Sequence, residues 1–151
     1  MAPPARAAWR PQPRRRAFDR EPVAVCAARE FALDTLTDWG VAERHDDIQL
    51  CVSELATNAL LHGGNDVRRF WVVLSAVGHV LRVEVRDYGP GMPRIRKPED
   101  SSDSGRGLLL VSDCAEAWGI DLSEQSKAVW AEFEVRTQPV EALGSGRTTH
   151  R

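Results

Sequence analysis

The chain has 151 residues, 42% of them apolar, which suits one domain with one core. Its net charge of −2 hides an asymmetry. Of 20 basic and 22 acidic residues, positions 1–16 hold five arginines and no acid, and positions 137–151 hold two arginines and one glutamate, which leaves 13 basic and 21 acidic residues in between. So acidic a body excludes a nucleic-acid-binding core, and no apolar run approaches the ~20 residues of a membrane helix.

Residues 1–13 carry Pro3, Pro4, Pro11 and Pro13 among Ala and Arg, a composition that predicts a disordered basic leader. The N-terminus has charge but no apolar segment behind it, so no signal peptide is expected and the cytoplasm is the expected compartment. Residues 14–19 read as a short edge strand. Pro22 opens a helix whose apolar face is Val25, Ala28, Ala32, Leu36 and Trp39, and Gly40 ends it. A second helix is expected from Asp46 to His62, with Asp46 and Asp47 at its positive end and Gly63-Gly64 as its stop. Its core face is Ile48, Val52, Leu55, Ala59 and His62.

The period then changes to two. Residues 69–76 (RFWVVLSA) are apolar nearly throughout, Val77-Gly78-His79 is a hairpin turn, and in 80–87 Leu81, Val83 and Val85 alternate with Arg82, Glu84 and Arg86. Residues 88–106 read as a long loop, 107–114 as a short helix, and 116–122 and 128–136 as two further strands. Residues 137–151 lack periodicity and read as a second disordered tail. Cys26, Cys51 and Cys114 are widely spaced, form no CxxC pair, and are expected to be reduced and structural. The element order predicts an α+β sandwich of 14–136, with helices on one face of a mixed sheet.

Three segments carry candidate chemistry. In Ser53-Glu54-Leu55-Ala56-Thr57-Asn58, Glu54 and Asn58 are one turn apart on one side of a helix. A carboxylate there can take a proton, and an amide oxygen beside it is a hard ligand suited to Mg²⁺. In Asp87-Tyr88-Gly89-Pro90-Gly91, a carboxylate at a strand end can accept from a purine amine, while two glycines let the backbone approach a flat ring. In Gly105-Arg106-Gly107-Leu108, free N–H groups at a helix start suit a phosphate. Taken singly, each also fits an ordinary reading: a solvated helix face, a Gly-Pro turn, a common helix start. His62, Trp118, Trp130 and Lys127 read as packing or solvated residues.

In this order, ELATNALLHG, DYGPGMP and GRGLLLV resemble the N, G1 and G2 boxes of the ATPase superfamily of gyrase, heat-shock chaperones, histidine kinases and mismatch-repair proteins (GHKL). The short layout resembles the anti-sigma-factor serine kinases and their stand-alone relatives in actinobacteria. The resemblance spans about residues 14–136. It implies a Bergerat fold, a two-layer α/β sandwich, with ATP between the helical layer and a flexible lid at roughly 92–106. By position, Glu54 matches the general base and Asn58 the Mg²⁺ ligand. Asp87 matches the adenine-reading carboxylate, with Gly89 and Gly91 beside the base. Gly105 and Gly107, with Arg106 and Leu108 between and after them, match the segment that wraps the phosphates. The family commonly places a Thr in the final strand next to the purine. Here Ala128 stands at the corresponding position, so a hydroxyl is expected to be missing there. The implied activity is phosphorylation of a serine on a small anti-anti-sigma-like protein, with a sigma factor as a second partner and a homodimer allowed. A non-catalytic module in which ATP only orders a docking face is the alternative, and a histidine-kinase catalytic domain acting in trans is a third.

Overall fold

A computed structural model describes residues 9–62, 68–88, 102–123 and 125–136. The elements follow in the order β1 (Arg14–Asp19), α1 (Val23–Asp38), α2 (His45–His62), β2 (Arg69–Val77), β3 (Val80–Tyr88), α3 (Ser102–Cys114), β4 (Ala117–Leu122) and β5 (Ser126–Glu134). The five strands form one sheet in the order β1-β2-β3-β5-β4. The α+β sandwich is as expected, but every pairing in the sheet is antiparallel rather than mixed. The crossover through α3 leaves β4 running parallel to β3. β5 then fills the gap between them, antiparallel to both. A crossover is legible in a sequence, whereas the strand that later intervenes is not.

One face of the sheet is covered by the helices. Phe70, Val72, Leu74 and Ala76 of β2, Leu81, Val83 and Val85 of β3, and Val129, Ala131 and Phe133 of β5 are all buried. They meet Ala28, Phe31, Ala32 and Leu36 of α1 and Ile48, Val52, Leu55 and Ala59 of α2 in a single core. α1 ends as its Gly40 predicts. Gly40 takes φ +76°, its N–H donates to Thr37 O at 3.1 Å, and the Val41 N–H donates to Leu36 O at 2.9 Å. These bonds satisfy carbonyls that a helix end otherwise leaves open.

The other face carries charge. Arg82 reaches Glu132 at 3.2 Å, Glu84 at 3.3 Å and Asp121 at 3.5 Å, and lies 4.4 Å over the Trp130 ring. Trp130 in turn needs a bare neighbour: a Cβ on Gly119 would stand 2.6 Å from its ring. The basic leader expected through residue 13 is anchored from Trp9 on. The Trp9 ring meets Trp39 edge-on at 6.0 Å, and its carbonyl accepts from Gly78 N–H at 2.7 Å. Residues 1–8 and 137–151 lie outside the described residues.

Arg44 ties together the ends of α2, α3 and β5 and the link from α3 to β4. It donates to both Glu116 carboxylate oxygens at 2.9 Å, to Cys114 O at 2.7 Å, to Glu134 O at 3.1 Å and to Asp47 at 3.4 Å. It does so from φ +64°, a conformation costly for a residue with a Cβ. Arg44→Ala should therefore cost about 2 kcal/mol in urea unfolding, from charge-assisted bonds lost to the carbonyls of Cys114 and Glu134. Arg44→Gly should recover about 1 kcal/mol of that loss by relieving the backbone. Equal stability of wild type and Arg44→Ala would show the clamp to be ornamental.

Candidate functional site

α2 packs on α1, on α3 and on β3, so the helix of Glu54 and Asn58 borders both the strand of Asp87 and the helix of the third motif. Glu54 is half-buried at the rim of an open groove between α1 and α2, which is lined also by Arg29, Asp46, Gln49, Leu50 and Ser53. Arg29 donates to Ser53 Oγ at 3.3 Å, and that hydroxyl donates to Gln49 O at 3.0 Å. Asn58 is half-buried one turn further along the same helix. Its placement beside rather than on the apolar stripe follows from the spacing: Leu55 and Ala59 carry the core face, and Glu54 and Asn58 each precede one of them.

Asp87 closes the buried row of β3. Leu81, Val83 and Val85 precede it on the same face, and Asp87 is only 2% exposed. Its Oδ1 is buried with no hydrogen-bond partner among the described residues. Burial pushes its carboxyl up to about 6, against the pull of Lys127 and then Arg20, whose charges favour the anion. Arg20 is held in place by its own bonds from Nε and Nη2 to Leu60 O at 3.2 and 3.0 Å, near the end of α2. A buried acceptor without a donor costs about 1–3 kcal/mol. A purine amine is a donor that would remove that cost, so the residues present fit a nucleotide base. For a metal the fit is looser. Among the described residues, no three His, Cys, Asp or Glu are grouped to hold an ion. Mg²⁺ needs no such cage, because it accepts one or two protein oxygens together with phosphates and waters.

The purine-side assignment of Ala128 is overturned by the register. Ala128 pairs with Arg86, so it belongs to the charged face of the sheet, away from the helices. Lys127 is the residue paired with Asp87, and it shares the buried face with it. The final strand starts at Ser126, two residues before the expected start. The third motif also shifts. α3 begins at Ser102, not at Gly107, so Gly105, Arg106, Gly107 and Leu108 lie within the helix rather than ahead of it. Ser102, Asp103 and Ser104 are residue types that favour a helix start, which explains the earlier beginning. Leu108 is half-buried against the core. Residues 89–101, which include Gly89, Gly91 and most of the lid expected at 92–106, the side chains of 101–107 and the side chain of His62 lie outside the described residues.

Sequence reasoning missed Arg20 and Lys127 as members of this neighbourhood. Arg20 meets Leu60 across 40 residues, a contact no local pattern carries. Lys127 could have been found, since it shares the odd-numbered phase of Val129, Ala131 and Phe133.

No curated protein matches the sequence at a significant level. Among solved structures, the chain is similar to the RsbU and RsbW domains of Rv1364c from Mycobacterium tuberculosis. The TM-score is 0.63 and the identity 18%, over 85% of this chain and 34% of that one. The chain thus spans about a third of that protein's length, and the likeness is one of fold. The family model of the histidine kinase-like ATPase domain matches residues 18–133, which hold all three motifs and every strand but the start of β1 and the end of β5. On that match and this fold, the chain belongs to the histidine kinase-like ATPase domain family, the GHKL superfamily read from its three motifs.

Proposed function

We propose that the protein is an ATP-dependent protein serine kinase of the anti-sigma-factor kind, acting in the cytoplasm on a small anti-anti-sigma-like partner. One observation carries the reading: Glu54 stands at the rim of an open groove, on the same helix as Asn58 and beside the strand of a buried Asp87 whose Oδ1 has no donor among the described residues. A base in a groove is reachable by a hydroxyl from another chain.

In this reading Asp87 accepts the exocyclic amine of adenine, Asn58 gives its amide oxygen to Mg²⁺, and the segment Gly105–Leu108 lies along the phosphates with Gly89 and Gly91 near the base. Bound ATP supplies the transferable phosphoryl group. Glu54 takes the proton of the partner's serine hydroxyl as that oxygen becomes the nucleophile. Arg29, across the groove from Glu54, can meet an acidic residue of the partner. The product serine carries about −1.5 to −2 charges and faces a protein whose residues 17–136 are strongly acidic, which favours release. A sigma factor is the second partner in this scheme, and a homodimer is compatible with it.

A hydroxyl missing beside the purine at Ala128 would support the non-catalytic alternative. With Ala128 on the opposite face, that support is gone. The test is incubation with γ-labelled ATP, Mg²⁺ and candidate partners. Acid-stable label on a partner serine is expected. Acid-labile label would point to histidine chemistry, and no label on any partner bound by the protein would leave a docking module.

A further inference from the structure

The strand register brings a second ionisable side chain to the end of the sheet where Asp87 lies. Asp87 and Lys127 are directly paired across β3 and β5, and both project toward the helices. They are 2% and 9% exposed. A lysine so buried needs a counter-charge, and its charge acts on Asp87 more strongly than that of Arg20 does. An acceptor-only group and a donor-only group therefore stand side by side at one end of two neighbouring strands.

We propose that Lys127 is a second base-reading residue, and that it opens the site to 6-oxopurine nucleotides such as GTP as well as to ATP. The inference rests on the reading of Asp87 as the base-reading carboxylate. Adenine offers a donor, its N6 amine, beside an acceptor, N1. Guanine offers an acceptor, O6, beside a donor, N1–H, with the N2 amine beyond. A carboxylate alone accepts the adenine amine, but with guanine seated in the same place it meets O6 acceptor against acceptor. Such a mismatch in a buried site rejects the wrong base by roughly 5- to 150-fold. A lysine beside the carboxylate removes it. With adenine, Asp87 accepts from N6 and Lys127 donates to N1. With guanine, Lys127 donates to O6 and Asp87 accepts from N1–H. Donor and acceptor stand in opposite order on the two edges, so for guanine the base slides to set N1–H on the carboxylate and the flexible four-carbon lysine stem carries the ammonium across to O6.

If Lys127 only compensates the buried charge of Asp87, it changes affinity but not selectivity. The two roles separate in a calorimetric titration of the full chain with Mg²⁺ and ATP, GTP or ITP. For the wild type, GTP and ITP should bind within ~10-fold of ATP, because they share O6 and N1–H. Lys127→Thr should weaken GTP and ITP at least ~10-fold more than ATP. Lys127→Met, which keeps the apolar stem, should do the same. Wild type that binds ATP but discriminates against GTP and ITP by more than ~100-fold overturns this inference and leaves the Asp87 reading standing. Equal weakening of all three nucleotides in both variants also overturns it. Binding of no purine nucleotide at all overturns it together with the Asp87 reading. Should both variants fail to fold, the wild-type selectivity decides alone.

Discussion

Replacing Glu54 by Ala should lower phosphoryl transfer to the partner by about 10²–10⁴-fold while ATP affinity stays within a few-fold. The asymmetry follows from where the residue stands. Glu54 is half-buried at the groove between α1 and α2, whereas the buried carboxylate suited to a base lies on β3. Removing a proton acceptor from the groove leaves the base site as it was. Glu54→Gln should show nearly the same loss, since the amide keeps the shape but cannot take the proton. Neither change should harm the fold, because Ala and Gln are good helix formers and Glu54 lies beside the packed row of Ile48, Val52, Leu55 and Ala59 rather than in it. Asn58→Ala should behave differently. Its effect falls on the Mg²⁺ dependence of nucleotide binding, which calorimetry with and without the ion would read. Single-turnover transfer at the native rate in Glu54→Ala would show that the base lies elsewhere or that none is needed.

How much of this was legible depends on whether the signal is local. α1 could be bounded from the chain alone because both its signals are single residues, Pro22 and Gly40, and each sits where it was expected to. The hairpin at Gly78 is legible for the same reason, since a positive φ of 64° asks for glycine. The beginning of α3 was misplaced because Gly105 and Gly107 read as breakers, at about 1 kcal/mol each, which hid the start signal of Ser102, Asp103 and Ser104 ahead of them. The Ala128 assignment failed differently, since the sequence itself contradicted it. Ala128 shares its phase with Glu132 and Glu134, both on the charged side, while Asp87 follows Val85, Val83 and Leu81 on the buried one. Period-two alternation puts Lys127, not Ala128, with the carboxylate. The resemblance placed Ala128 by its position in the final strand, which does not say which face a residue takes. Arg20 was beyond reach of either method, because its contact with Leu60 depends on how β1 leads into α1 beside the end of α2.

Asp87→Asn should make the protein more stable at neutral pH while weakening its hold on ATP. The two effects have one origin. Burial raises the Asp87 carboxyl from 3.8 to about 6, because desolvation of the anion outweighs the attraction of Lys127 and Arg20. The ionised form is thus a burden on the folded state. In the unfolded chain the group loses its proton near 3.8, and in the folded chain near 6. Between these values the folded state holds one more proton, so stability falls as pH rises through that window. Below about pH 4 both states are protonated and the burden is absent. Above about pH 6 it is complete, at about 2–3 kcal/mol. Asparagine mimics the neutral acid, so urea unfolding should find the variant more stable than wild type by that amount near pH 8 and equal to it near pH 4. The same burial makes Asp87 a strong acceptor for a ligand amine. Asparagine can turn a donor toward that amine, and the mismatch should weaken ATP by roughly 5- to 150-fold. Wild-type affinity should also drop as pH falls through about 6, where the acceptor takes up a proton, and the variant should show no such step. A variant less stable than wild type near pH 8 would mean that Lys127 and Arg20 hold the carboxylate as a stabilised anion. Equal ATP affinity in the two proteins would take the base-reading role away from Asp87, and with it the reason a buried acceptor sits at this end of β3.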